Sequence, residues 1–114
     1  MTTDTDKFLI TYCTCPDHEV ALQLANTIVD AGLAACVNIV PGLTSIYRWQ
    51  GKREQGTEEL LMIKTTADCF PMLQALVVEQ HPYELPELIA VPIETGLPAY
   101  LDWVAESCTV STRG

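Results

Sequence analysis

The segment from Ala34 to Trp49 limits the fold more than any other part of the chain. It reads Ala-Ala-Cys-Val-Asn-Ile-Val-Pro-Gly-Leu-Thr-Ser-Ile-Tyr-Arg-Trp. β-branched and aromatic residues dominate both sides of Pro41-Gly42, which predicts two strands around a turn, or one bent strand. A further extended run follows at Thr57 to Thr66, where Leu60, Leu61, Met62 and Ile63 stand between Glu58-Glu59 and Lys64. Both faces of that run are apolar, so cover is expected on both. Between the runs, Gly51 to Gly56 holds two glycines and three charges and reads as a hairpin loop.

The flanking segments fall into place around this hairpin. Phe8 to Tyr12 predicts a short strand. Thr14 to Asp17 supplies turn and helix-start chemistry, with Pro16 in the first turn. Val20, Ala21, Leu24, Ala25, Ile28 and Val29 then share one helical stripe, and Gly32 stands where a left-handed cap is needed. Ala67 to Gln80 predicts a second helix, with Phe70, Leu73, Leu76 and Val77 on one face and Pro82 ending it. Leu88 to Ile93 reads as a last strand, where Pro92 suggests an edge or a bulge. Pro98 opens a C-terminal helix with Tyr100, Leu101, Val104 and Cys108 inward. With the strands around Pro41-Gly42 merged, the order is βαββαβ plus a helix. The expected fold is therefore α+β, a ferredoxin-like sandwich with a long β-hairpin. One domain spans 1–114, with tails expected at 1–6 and 109–114.

The strand from Thr57 reaches ~33 Å at about 3.3 Å per residue. A domain of this length has a radius of gyration of ~14 Å. The hairpin tip is thus expected to overhang its own sheet and to pair with another copy, and a cyclic assembly closes such contacts.

Composition excludes several classes of function. The 114 residues carry six Lys and Arg against fifteen Asp and Glu, a net charge of −9, so no phosphate-binding face for nucleic acid is expected. No apolar run is long enough to span a membrane. The start, Met-Thr-Thr-Asp-Thr-Asp, is polar and acidic, unlike a signal peptide, which points to the cytoplasm. The five cysteines, Cys13, Cys15, Cys36, Cys69 and Cys108, form no Cys-x-x-Cys pair, so free thiols are expected rather than disulfides or a closed zinc site. No nucleophile elbow, phosphate loop or His-Glu-x-x-His pattern is present, so no enzyme is expected.

Many separated words of this chain resemble the CutA family of divalent-cation-tolerance proteins. They are Ala34 to Ile39, Pro41-Gly42, Ser45 to Lys52, Lys64-Thr65, His81-Pro82-Tyr83-Glu84, Pro86-Glu87, Pro92-Ile93 and Tyr100 to Val104. The resemblance covers about residues 8–106. It implies a ferredoxin-like subunit, a homotrimer resembling the PII signalling proteins, and a link to copper and other divalent metals. In some bacterial members a Cys in a Cys-Thr-x-Pro-Asp segment and a His-His pair before Pro-Tyr are taken as copper ligands. Carried over, these are Cys13 and His81, and Gln80 replaces the first His. Some eukaryotic relatives are tied to membrane anchoring of an esterase, which nothing in these residues supports.

Soft sulfur suits Cu(I), and imidazole suits either copper state. Cys15, two residues from Cys13, could join from the strand-to-helix turn, but the expected ligands are Cys13 and His81. Cys13 and His81 alone make a weak or transient copper site, completed by other groups. Alternation puts Tyr47 and Trp49 on one strand face and Arg48 on the other. With Lys64 and Tyr83 they are expected to form an inter-subunit interface, or a cleft for a small anionic ligand as in a PII-like sensor. Glu59, Glu84 and Glu87 are the carboxylates expected near Tyr83 and His81. The residues name no protein partner.

Overall fold

The structure is a computed structural model and describes residues 7–109. The expected tails, Thr109 apart, lie outside the described residues. The elements are β1 (Phe8–Cys15), α1 (His18–Asp30), β2 (Cys36–Trp49), β3 (Lys52–Thr66), α2 (Phe70–Gln80), β4 (Ile89–Pro92) and α3 (Pro98–Ser107). They build one antiparallel sheet in the order β2-β3-β1-β4. This is the α+β, ferredoxin-like order expected from the sequence.

Local chemistry sets the ends of α1. Asp17 is extended, and its side chain accepts the Val20 N–H at 2.9 Å, satisfying an orphan donor of the first turn. At the other end Gly32 takes φ +73°, its N–H bonds the Val29 carbonyl, and the Leu33 N–H bonds the Ile28 carbonyl. That paired closure is the Schellman arrangement, and the left-handed residue is the glycine expected there. Ala21, Leu24, Ala25 and Ile28 face inward. With Leu73 and Val77 of α2 they cover Cys13, Cys15, Leu61 and Ile63 of the sheet.

The hairpin differs from expectation at its tip. The turn is only Gln50-Gly51, both at positive φ (51° and 81°), which matches the right-handed strand twist of a two-residue connection. Residues 52–56, expected as loop, pair with β2 instead, and Gly56 lies opposite Ser45. β3 is consequently longer than expected, and Leu43–Trp49 and Lys52–Glu58 extend beyond β1, whose pairing stops at Glu59. The molecule measures 48 × 29 × 23 Å, and its long axis reflects this overhang.

Pro41-Gly42 bends β2 without ending it. The register shifts by one residue there: Val40 lies opposite Leu60, but Leu43 lies opposite Glu58. A one-residue shift moves every later side chain to the other face. Val37 and Ile39 therefore pack on the core, while Ser45, Tyr47 and Trp49 share a face with Glu58.

Three smaller differences follow from packing. β1 runs to Cys15, because β3 supplies partners to that point. α2 begins at Phe70, after a turn in which the Cys69 N–H bonds the Thr66 carbonyl. Tyr100, expected inward, is exposed and packs on Trp103 with ring centroids 5.4 Å apart, while Val104 takes the buried position.

Candidate metal centre

Cys13 and Cys15 sit at the end of β1, one strand repeat apart, so both side chains leave the same face. This corrects the expectation that Cys15 belongs to a turn. His81 follows the last residue of α2. Its N–H closes the helix on the Val77 carbonyl, and its own backbone is extended, as a residue before proline must be. The strand and the helix end meet so that one donor atom each from Cys13, Cys15 and His81 lies within 4.8 Å of the others. All three residues are buried.

The His81 ring is held at both nitrogens. Nε2 lies 2.8 Å from the Thr14 carbonyl, and the Tyr83 N–H points to Nδ1 at 3.1 Å. A carbonyl only accepts and an amide N–H only donates, so the proton is on Nε2. The Tyr83 ring packs on the imidazole at 4.7 Å. A metal bound by His81 must therefore displace one of two backbone hydrogen bonds.

The two thiols differ in proton affinity. The hydrogen bond to Cys15, then burial, pushes the Cys13 thiol up, and Cys15 is lowered by the same hydrogen bond. Cys15 is thus the first to ionise, and the Cys13 thiol donates to the Thr14 carbonyl at 3.8 Å. Two sulfurs and an imidazole are a donor set for soft or borderline cations. Thr11, one repeat back on the same face, has a buried hydroxyl with no partner among the described residues. Gln80, where the resemblance has a histidine, is exposed.

A cleft of about 730 Å³ adjoins this centre. Tyr47, Trp49 and Tyr83 wall it, and Glu58, Glu84 and Glu87 face it. Thr14 lies between the two sites, its carbonyl on His81 and its side chain in the cleft. Thr14 Oγ1 lies 3.4 Å from Glu87 Oε1, and Tyr83 Oη donates to Glu58 Oε2 at 2.6 Å. Burial, then that carboxylate, raises the Tyr83 phenol.

Several expectations need correction here. Within one chain, among the described residues, no basic side chain lines the cleft. Arg48 points from the opposite strand face, as alternation requires. Lys64 lies well back along β3 and bonds Asn38 Oδ1. Glu59 accepts from or donates nothing to Tyr83; its Oε1 pairs with His18 Nδ1 at 2.9 Å. The carboxylate that meets Tyr83 is Glu58, which sequence reasoning missed. Strand parity carried through the Pro41-Gly42 shift is the signal that identifies it.

A family model described as CutA1 divalent ion tolerance protein matches residues 9–107. The divalent-cation tolerance protein CutA of Thermus thermophilus is 53% identical over 94 residues, covering 82% of this chain and 91% of that protein. The mouse Protein CutA is 50% identical over 93 residues, or 82% of this chain, which spans about half (52%) of the mouse protein. Among solved structures, the Thermus thermophilus divalent cation tolerance protein superimposes with a TM-score of 0.88 at 49% identity, covering 90% of this chain and 99% of that one. CutA1 from Oryza sativa gives 0.89 at 42% identity, covering 95% and 100%. These relatives also correct the cytoplasmic expectation. Those from Arabidopsis thaliana and rice are described as chloroplastic, and the Archaeoglobus fulgidus structure as periplasmic. Relatives with this fold are thus described from other compartments, and the polar start and free thiols do not assign a location. The chain belongs to the CutA1 divalent ion tolerance family.

Proposed function

We propose that this protein acts in divalent-metal tolerance by holding copper at Cys13, Cys15 and His81, without catalytic turnover. The observation that carries this reading is the convergence of three buried donors on one point. Thiolates and imidazole together favour Cu(I) over hard divalent ions. Cys15 supplies the third donor. Coordination rather than turnover is favoured because both thiols are buried and the acceptor nitrogen of His81 is taken by the Tyr83 N–H. A nucleophile–base pair needs a free base and an approach for substrate.

The assembly in this reading is a homotrimer resembling the PII proteins. Its support is the overhanging hairpin, whose exposed Ile46, Tyr47 and Trp49 pair with β3 but lie beyond the end of β1. Sedimentation at dilute concentration tests it, and a monomer mass sinks it.

Titration of the reduced protein with Cu(I) and Cu(II) tests the metal site. We expect one Cu(I) per chain, and Cys13→Ser, Cys15→Ser and His81→Ala should each weaken it by more than the roughly tenfold lost with an outer-shell partner. Binding that survives all three substitutions places the copper elsewhere.

A further inference from the structure

We infer that Cys69 and Cys108 form an oxidation site, a disulfide-forming pair that fastens the end of α3 to the start of α2. Cys69 is the first cap residue of α2, and Cys108 is the last cap residue of α3. Both ends meet at Gly32. Its carbonyl accepts the Thr109 N–H at 2.9 Å and the Cys69 thiol at 3.9 Å. One oxygen thus stands between Cys69 and the residue that follows Cys108. Cys108 packs on the buried cluster that contains Cys69. Cys69 also bears on the Cys108 thiol, both as a charge and as a hydrogen-bond neighbour.

The pair is set apart from the other three cysteines. Cys13 and Cys15 belong to the metal centre, and the Cys36 thiol turns to Asn38 Oδ1 on β2. The Cys69 side chain makes no cap hydrogen bond, and its backbone N–H is held by Thr66. Rotating this thiol toward Cys108 therefore leaves the start of α2 intact. Cys69 is fully buried, whereas Cys108 is half-buried. Cys108 is the thiol that a reagent reaches, and Cys69 is the one that resolves the product.

The oxidant is a low-molecular-weight disulfide. The Cys108 thiolate attacks one of its sulfurs, its S–S bond breaks, and one small thiol leaves with a proton from water. Cys69 then gives its proton to water and attacks the Cys108 sulfur, releasing the second small thiol. Two protein thiols are oxidised to one disulfide, and the small disulfide is reduced to two thiols. Burial pushes the Cys108 thiol up to about 11, so its thiolate is scarce near neutrality and the first step is slow. The same burial gives the reduced pair no stabilised thiolate, so the disulfide resists reduction once formed. It closes a loop of about forty residues, a constraint that lowers the unfolding constant on the order of a hundredfold. None of this depends on copper at Cys13, Cys15 and His81.

Oxidised glutathione is the probe. The reduced full chain is incubated with it in metal-free buffer under native conditions, and the product is mapped by peptide mass spectrometry without reductant. A Cys69–Cys108 link is expected, formed about tenfold faster per pH unit on the alkaline side of neutrality. The linked protein should have a higher urea midpoint than the reduced one. Cys69→Ser should keep glutathione on Cys108, and Cys108→Ser should leave Cys69 unmodified. Cys69→Ala and Cys108→Ala, which bury no hydroxyl, serve where a serine variant misfolds. No link, a dominant link through Cys13, Cys15 or Cys36, or a link between two chains overturns the inference. So does a link that forms only in urea, or one that leaves the urea midpoint unchanged.

Discussion

The Nε2–H of His81 donates to the carbonyl of Thr14 across 2.8 Å, tying the end of α2 to β1 between its two cysteines. The same imidazole therefore closes the fold and stands among the metal donors. Its removal should tell in metal-free protein as well as in copper binding. His81→Ala loses a buried hydrogen bond and leaves the Thr14 carbonyl and Tyr83 N–H unpaired, a cost of about 2–4 kcal/mol. Urea unfolding of the metal-free protein measures it. Copper should raise the midpoint of the parent and leave that of the variant in place.

Thr11 presents the opposite case. Its buried hydroxyl has no partner among the described residues, so the fold carries a desolvation cost at that position. Thr11→Val keeps the shape and removes the polar atom. It should stabilise the protein by about 1 kcal/mol, read as a higher urea midpoint at unchanged slope. A lower midpoint means that the hydroxyl is satisfied by water.

Gly32 closes α1 at φ +73°, and a Cβ built there falls 2.5 Å from Thr109 Oγ1. Gly32→Ala adds left-handed strain and crowds the Thr109 N–H bond to the Gly32 carbonyl. A loss of about 1–3 kcal/mol is expected in chemical denaturation. Gly42 also has positive φ but nothing near its Cβ, so Gly42→Ala should cost less than Gly32→Ala.

Cys108 should make stability depend on pH in the alkaline range. Burial, then the neighbouring Cys69, pushes its thiol up to about 11. In the unfolded chain it ionises near the ordinary thiol value of about 8.5. Between these values the folded state keeps a proton that the unfolded state has released. Stability therefore falls as pH rises through this window and is unaffected by Cys108 below it. Urea midpoints should drop more steeply for the parent than for Cys108→Ser across that window. Parallel curves contradict the assignment.

Much of this architecture is legible locally. The stripe of Ala21, Leu24, Ala25 and Ile28, the cap at Asp17 and the left-handed Gly32 each express a preference of a few neighbouring residues, and the structure keeps them all. The tip of the hairpin was less legible. Gly56 and the charges at 52–54 look like loop chemistry, yet a two-residue turn at Gln50-Gly51 lets the ladder run through them. Pairing across the strands outweighs the weak strand preference of glycine and charged residues.

By itself the sequence determined the kinds of element, their order and the family words, because these depend on spacing along the chain. Tertiary structure alone decided which side chains share a space. Glu58 rather than Glu59 meets Tyr83 because a one-residue shift at Pro41-Gly42 sets the parity of the hairpin face. Cys15 joins Cys13 and His81 because β1 continues to its end against β3 and α2 stops above it. Neither result is encoded in a local pattern. Each depends on register and sheet order, which are set by contacts between residues far apart in the chain.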